Sequence, residues 1–146
     1  MSLSSKEIFE KAADFHGHLG PFLVIGVRMG LVGLRNLGVS QDVRQLLIMA
    51  SLPLRVPFSC IIDGLQVTTK CTVGNRRLSI KDSAKIQAEF ARNDNGQKIV
   101  VALNEAVFKK LKPQLLQETL SDKEVRELAW KIAAIPEDEL FVIACS

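Results

Sequence analysis

The chain has 146 residues, 47% of them hydrophobic and 24% charged, with a formal net charge of +3. That is the length of one domain with one core, and the composition is that of a soluble globular protein rather than a disordered chain. So small an excess of positive charge, with seven Phe, one Trp and no Tyr, leaves neither a concentrated basic face nor base-stacking platforms, so nucleic acid is excluded as the expected partner.

In chain order, Ser4 stands three residues before Glu7, the spacing of a capping box, and a short helix is expected to follow and bury Ile8, Phe9, Ala12 and Ala13. It should stop at His16-Gly17, because glycine takes the left-handed conformation that ends a helix. A second helix is expected from Pro21 to Asn36, with Gly38 as its stop. Its run Pro21–Leu34 contains Arg28 and falls short of the ~20 apolar residues that a bilayer requires. The acidic Glu7, Glu10 and Asp14 precede it, so it does not read as a signal peptide. Gly26, Gly30 and Gly33 share one face of this helix and cost it about 2–3 kcal/mol against alanine, so another backbone is expected to pack closely there. That face also predicts a homodimer, through admission of a second copy.

Leu46–Leu52 reads as a buried strand. Ser59 is expected to cap a helix with Ile61, Leu65 and Thr68 inward and Gly64 allowing close approach. Val73-Gly74-Asn75 forms a turn before a short strand from Arg77 to Ile80. Ala84, Ile86, Ala88 and Phe90 alternate with polar residues as a half-buried strand, and Asn93–Gly96 turns the chain into a partner strand from Lys98 to Leu103. Asn104 should cap a helix from Glu105 to Lys112. Ser121 and Glu124 form a second capping box, opening a helix to about Ala134 that Pro136 breaks. Leu140–Ala144 is a last strand. No repeat or linker interrupts the order, so residues 1–146 are expected to form one α+β domain, a mixed or antiparallel sheet with flanking helices.

The chemistry-bearing residues are few. Both histidines of the chain, His16 and His18, fall in the joint between the first two helices. The three cysteines are odd in number and widely spaced, which argues against a disulfide framework and for a reducing cytoplasm. Imidazole and thiolate at His16, His18, Cys60 and Cys71 suit zinc first, with nickel or iron as alternatives. No Cys-x-x-Cys pair is present, so any such site must be assembled in space and left partly open. Each residue also has a plain structural reading, a histidine capping carbonyls or a cysteine packing. Cys60 is expected in the first turn of its helix, where free N–H groups and the dipole lower a thiol's pKa. Cys71, near the end of the same helix, is expected to be the weaker ligand, and Cys145 a small buried hydrophobe. Asp63 and Gln66 share a face at i and i+3, and Thr72 fits a turn.

Three blocks, Asp14–Pro21 (DFHGHLGP), Cys60–Gln66 (CIIDGLQ) and Thr69–Asn75 (TKCTVGN), together resemble the FmdE-like family, named for a component of formylmethanofuran dehydrogenase. That family's pattern runs Phe-His-Gly-His-x-Cys-Pro-Gly, then Cys-x-x-Asp-x-x-Gln, then Thr-Gly-Cys-Thr-x-Gly-Asn. The resemblance implies an α+β core in an intertwined dimer, with a metal-binding cleft. Carried over residue by residue, it makes His16, His18, Cys60 and Cys71 metal ligands and places Asp63, Gln66 and Thr72 on the cleft wall. Two positions depart from the pattern: Gly20 replaces a cysteine and Phe22 a glycine. The family's C-terminal zinc-finger module is not expected here. The function so implied is that of a cytoplasmic protein holding a divalent transition metal, an accessory or carrier to a metalloenzyme. The alternatives are a metal- or thiolate-dependent enzyme and a structural component with a vestigial cleft.

Overall fold

A computed structural model of the chain describes residues 5–39 and 43–145. Six helices, α1 (Ser5–His16), α2 (Pro21–Leu37), α3 (Cys60–Thr69), α4 (Glu105–Leu115), α5 (Asp122–Ala134) and α6 (Glu137–Leu140), accompany five strands among these residues. The strands are β1 (Leu46–Leu52), β2 (Leu78–Asp82), β3 (Gln87–Arg92), β4 (Lys98–Leu103) and β5 (Phe141–Cys145). The capping residue expected at Ser4 lies outside the described residues.

The sheet order is β2-β1-β3-β4-β5. β1 and β2 are parallel, joined by α3, and every other pairing is antiparallel. The fold is α+β with a mixed sheet. One face is buried through Leu46, Ile48, Ala50 and Leu52 of β1, Phe90 of β3 and Val101 of β4. β1 was expected to be buried on both faces, but Leu47 and Met49 are each 42% exposed, because only one face of the sheet carries helices. No helix among the described residues is long and apolar enough to cross a membrane.

α2 is the central element, packed against α1, α3 and α5 and against β3 and β4. Pro21 opens it, and Gly38, left-handed at φ 66°, closes it. Its glycines are explained within one chain. A Cβ on Gly26 would stand 2.1 Å from the Ile61 carbonyl oxygen, and one on Gly33 would stand 2.4 Å from the Phe90 ring. Gly64 answers from α3, where a Cβ would meet the Leu23 carbonyl oxygen at 2.4 Å. The seam is backbone on backbone, filled by α3 and the sheet, so this face carries no argument for a second copy. Arg28, the charge in the apolar run, reaches the α5 terminus through Nη1, donating to the Ile132 carbonyl at 2.8 Å and the Ile135 carbonyl at 2.5 Å. Burial lowers its pKa, and Glu137 opposes the shift.

Several ends match their chemistry. Asn104 accepts from the amides of Ala106 and Val107, and Ser121 and Glu124 close a reciprocal box. Three expectations are corrected. α4 runs three residues past Lys112, with Pro113 inside it. The strand expected from Ala84 begins at Gln87, because residues 83–86 are occupied in crossing from β2 to β3. Cys145 is exposed, since β5 lies at the sheet edge.

Candidate functional site

Where α1 ends and α2 begins, Gly17 takes φ 114°, and this reversal turns both histidine rings to one side, their centroids 4.9 Å apart. His16 Nδ1 lies 2.6 Å from Asp63 Oδ2 on α3. A carboxylate only accepts, so Nδ1 carries the proton and a neutral His16 keeps its lone pair on Nε2. The Gln66 amide donates to the other Asp63 oxygen at 3.2 Å, while its own oxygen accepts from the Val73 amide at 3.0 Å. One polar chain, His16–Asp63–Gln66–Val73, therefore joins all three sequence blocks. It fixes the tautomer and direction of His16, whose side chain is only 14% exposed.

Beside this chain lies a cavity of about 470 Å³ with His16, His18 and Cys60 on one wall. The facing wall is apolar, formed by Leu115, Leu120 and Val125, with Gln117 and Glu118 among its lining. This second wall, from the segment joining α4 to α5, was missed in the sequence. No motif marks it, and its only signal was the leucine spacing after Pro113.

The cysteines part company. Cys60 is half-buried on the cavity wall. It is not the low-pKa thiol expected. Burial pushes it up, Asp63 adds to the shift, and a hydrogen bond with its own backbone amide opposes it. The physical reason lies in the helix start. Ser59 is helical itself (φ −64°, ψ −14°) and its side chain caps nothing. The first amides are already spent on the preceding turn, Cys60 N–H to the Pro57 carbonyl and Ile61 N–H to the Phe58 carbonyl, both at 3.1 Å. Cys71 is 0% exposed, absent from the cavity wall, and its thiol points to the Leu46 carbonyl at 3.7 Å. Burial pushes this thiol up too. Thr72 also stands apart, its hydroxyl accepting from the Asn75 amide at 3.0 Å.

Two imidazoles and a thiol on one wall have the donor chemistry of a borderline-soft divalent metal. A carboxylate on the remote ring nitrogen is the arrangement that orients a metal-binding histidine. Among the described residues no group of three His, Cys, Asp or Glu side chains could hold a metal ion as it stands. The donors present suit an open site completed by a further ligand, not a closed cage. A Cβ on Gly20 would lie 3.3 Å from His18 Nε2, so the cysteine of the family pattern would sit directly against that ring, and glycine removes this thiol.

Comparisons with known proteins bear on the whole arrangement. A "Probable S-adenosyl-L-methionine-binding protein" of Archaeoglobus fulgidus is 30% identical over 90% of this chain, and the chain spans 40% of that relative's length. The crystal structure of an FmdE-like protein of tungsten formylmethanofuran dehydrogenase type, from Syntrophus aciditrophicus, superposes with a TM-score of 0.62. It covers 99% of this chain and 73% of the other at 24% identity, a likeness of fold. The family profile described as "FmdE, Molybdenum formylmethanofuran dehydrogenase operon" matches residues 15–142, spanning both the His16–Val73 polar chain and the apolar wall that faces it. The chain belongs to the FmdE family.

Proposed function

We propose that the chain binds a divalent transition metal in this cavity, zinc first and nickel or iron as alternatives, and serves a metalloenzyme as an accessory or delivery component. His16 Nε2, the His18 ring and the Cys60 thiol are the protein donors. The observation that carries the reading is the 2.6 Å contact of Asp63 with His16 Nδ1, beside a second imidazole and a thiol. A bound metal would supply Lewis acidity and a coordination position for a further ligand. Asp63 holds the proton on Nδ1, so that Nε2 stays a lone-pair donor. Gln66 holds Asp63, and the Leu115 and Leu120 side chains keep water from the facing wall. The family's link to a formylmethanofuran dehydrogenase operon supports an enzyme as the partner.

Cobalt(II) and zinc titrations of metal-free protein test this. The expected result is one metal per chain, a thiolate-to-cobalt band lost in Cys60→Ser, and affinity lower by about 10–100-fold in Asp63→Asn. Retention should fall below about pH 6, because protons compete for neutral imidazole. No uptake by folded protein overturns the proposal.

A second reading takes the cavity as a pocket for an organic ligand. Its volume of about 470 Å³ far exceeds one ion and lies in the range of small-molecule sites, and the Archaeoglobus relative is named for binding S-adenosyl-L-methionine. Calorimetric binding of that compound to metal-free protein, retained in His16→Ala, would favour this reading over the first.

A further inference from the structure

The segment from Pro53 to Cys60 separates two cavities. Val56, Pro57 and Cys60 face the one already described, whereas Pro53, Arg55 and Phe58 face another of about 500 Å³. The second cavity lies at the carboxyl ends of β1 and β2, the parallel pair, whose last residues Leu52 and Asp82 are register partners. After β2 the chain crosses to the other side of β1 to form β3, so the strand order reverses above this cavity. In sheets built from parallel strands a crevice at such a reversal is where ligands bind.

The groups there form a cationic pocket. The Arg55 guanidinium lies over the Phe58 ring at 4.9 Å from its centroid, and Phe58 is itself buried at 4% exposure, so the stacking sets the plane of the fork. Lys112 enters from the last turn of α4. Neither cation has a carboxylate partner among the described residues, whereas Arg35, Arg92 and Arg126 each do. Ser83 accepts from the Lys85 amide at 3.1 Å, which leaves its hydroxyl hydrogen to donate. Asp82, the carboxylate on the wall, takes the Leu54 amide at 3.1 Å and ties down the segment that carries Arg55. Two cations against one carboxylate leave the pocket one positive charge in excess, with Pro53 and Phe108 as apolar surface.

We infer that this second cavity binds the oxyanion head, phosphate or carboxylate, of a small organic ligand, through the Arg55 fork, the Lys112 ammonium and the Ser83 hydroxyl. A planar fork with an ammonium beside it gives charge-assisted hydrogen bonds to such a head, the strong class of these interactions. The site is independent of the histidine cavity and of the metal proposed there.

Amide shift titration of the full chain with inorganic phosphate, and separately with benzoate, tests the inference at low ionic strength, with sodium chloride as control. The expected result is saturable movement of the Arg55, Ser83 and Lys112 amides by one of the two probes and not by chloride. The probe that saturates identifies the head as phosphate or carboxylate. Arg55→Gln and Lys112→Gln should each weaken that probe by about 10-fold, as for loss of one charge-assisted contact. His16→Ala should leave it unchanged, which separates this site from the metal reading. Both substitutions are at exposed positions, and thermal melting checks that the variants fold. Saturable shifts by neither probe, shifts centred elsewhere, or undiminished affinity in the doubly substituted chain would overturn the assignment.

Discussion

The two ends of α3 each carry a cysteine from a motif block, and they are built in opposite ways. At the first end Ser59 caps nothing, Cys60 is half-buried on a cavity wall, and Asp63 turns toward His16. At the last end almost every polar group is used locally. Thr69 donates to the Leu65 carbonyl at 2.6 Å and accepts from the Cys71 amide at 3.1 Å. Asn75 holds the Lys70 carbonyl and the Thr72 amide. The second block is thus explained by what it presents to a cavity, and the third by the helix end and turn it constructs. A cysteine in a motif is evidence of chemistry only where something can reach it.

The largest expected effect comes from the middle of the helix, which sets both ends against α2. A Cβ on Gly64 would lie 2.4 Å from the Leu23 carbonyl oxygen and 2.5 Å from the Val27 amide nitrogen, backbone atoms that no rotamer change can move. Gly64→Val should therefore cost at least about 3 kcal/mol, the upper end of overpacking, and leave little folded protein. Gly96→Ala is the control. Gly96 has positive φ but open space around it, so only conformational strain of about 1 kcal/mol applies. Urea midpoints of the two variants should differ accordingly, and equal midpoints would mean the α2–α3 seam is not what fixes α3.

The second prediction sets the two cysteines against each other. A serine at position 71 would be too far from the Leu46 carbonyl, 3.7 Å from sulfur as it stands, to bond well. Burying that hydroxyl should cost about 1–3 kcal/mol. Cys60→Ser, half-exposed, should cost less than about 1 kcal/mol while removing a metal donor. Urea denaturation and metal titration should give opposite rankings. In metal-free protein the exposed Cys145 should be alkylated first, Cys60 slowly, and Cys71 only on unfolding. Because burial and Asp63 raise the Cys60 pKa, its rate should keep rising with pH beyond the ordinary thiol value of about 8.5. The native state then holds a proton that the unfolded chain releases, so this thiol makes stability fall as pH rises through that range. Rapid modification of Cys60 at pH 7 would restore the thiolate reading.

How much of this was legible differs between elements for physical reasons. Ends fixed by local chemistry, such as Gly17, Pro21, Gly38, Asn104 and the Ser121–Glu124 box, were read correctly because the signal and the structure lie within a few residues. The histidines, Asp63 and Gln66 were placed together only through the resemblance to a family, since a contact spanning 47 positions, His16 to Asp63, leaves no local pattern. Ser59 misled because a capping residue type says nothing about a turn that already occupies the first amides. Cys71 and Cys145 were mistaken in opposite directions, one drawn into a site and one into a core. Burial at those positions is decided by the neighbours that α3 and the sheet edge acquire, not by the flanking sequence. The apolar cavity wall at Leu115 and Leu120 was invisible for the same reason.

The smallest expected effect sharpens the contrast most, because it touches the closed end of α3 without touching any packed side chain. Lys70 terminates the helix with φ 60° and ψ 10°, the left-handed conformation, at the position where the family pattern has glycine. For a residue with a Cβ that conformation costs about 1–2 kcal/mol. The Lys70 side chain is exposed, so removing it should forfeit little packing. Lys70→Gly relieves the strain but gives the unfolded chain more freedom, worth about 0.4–1 kcal/mol in the opposite direction. The net expectation is a gain of about 0.5–1 kcal/mol, read as a higher urea midpoint at unchanged slope. Metal affinity at the far end should not move, since neither the His16–Asp63 contact nor Cys60 depends on the Lys70 backbone angle. A gain in stability with altered affinity would show the two ends to be coupled along the helix. A loss of stability would assign the lysine side chain an interaction at the helix end that outweighs its strain.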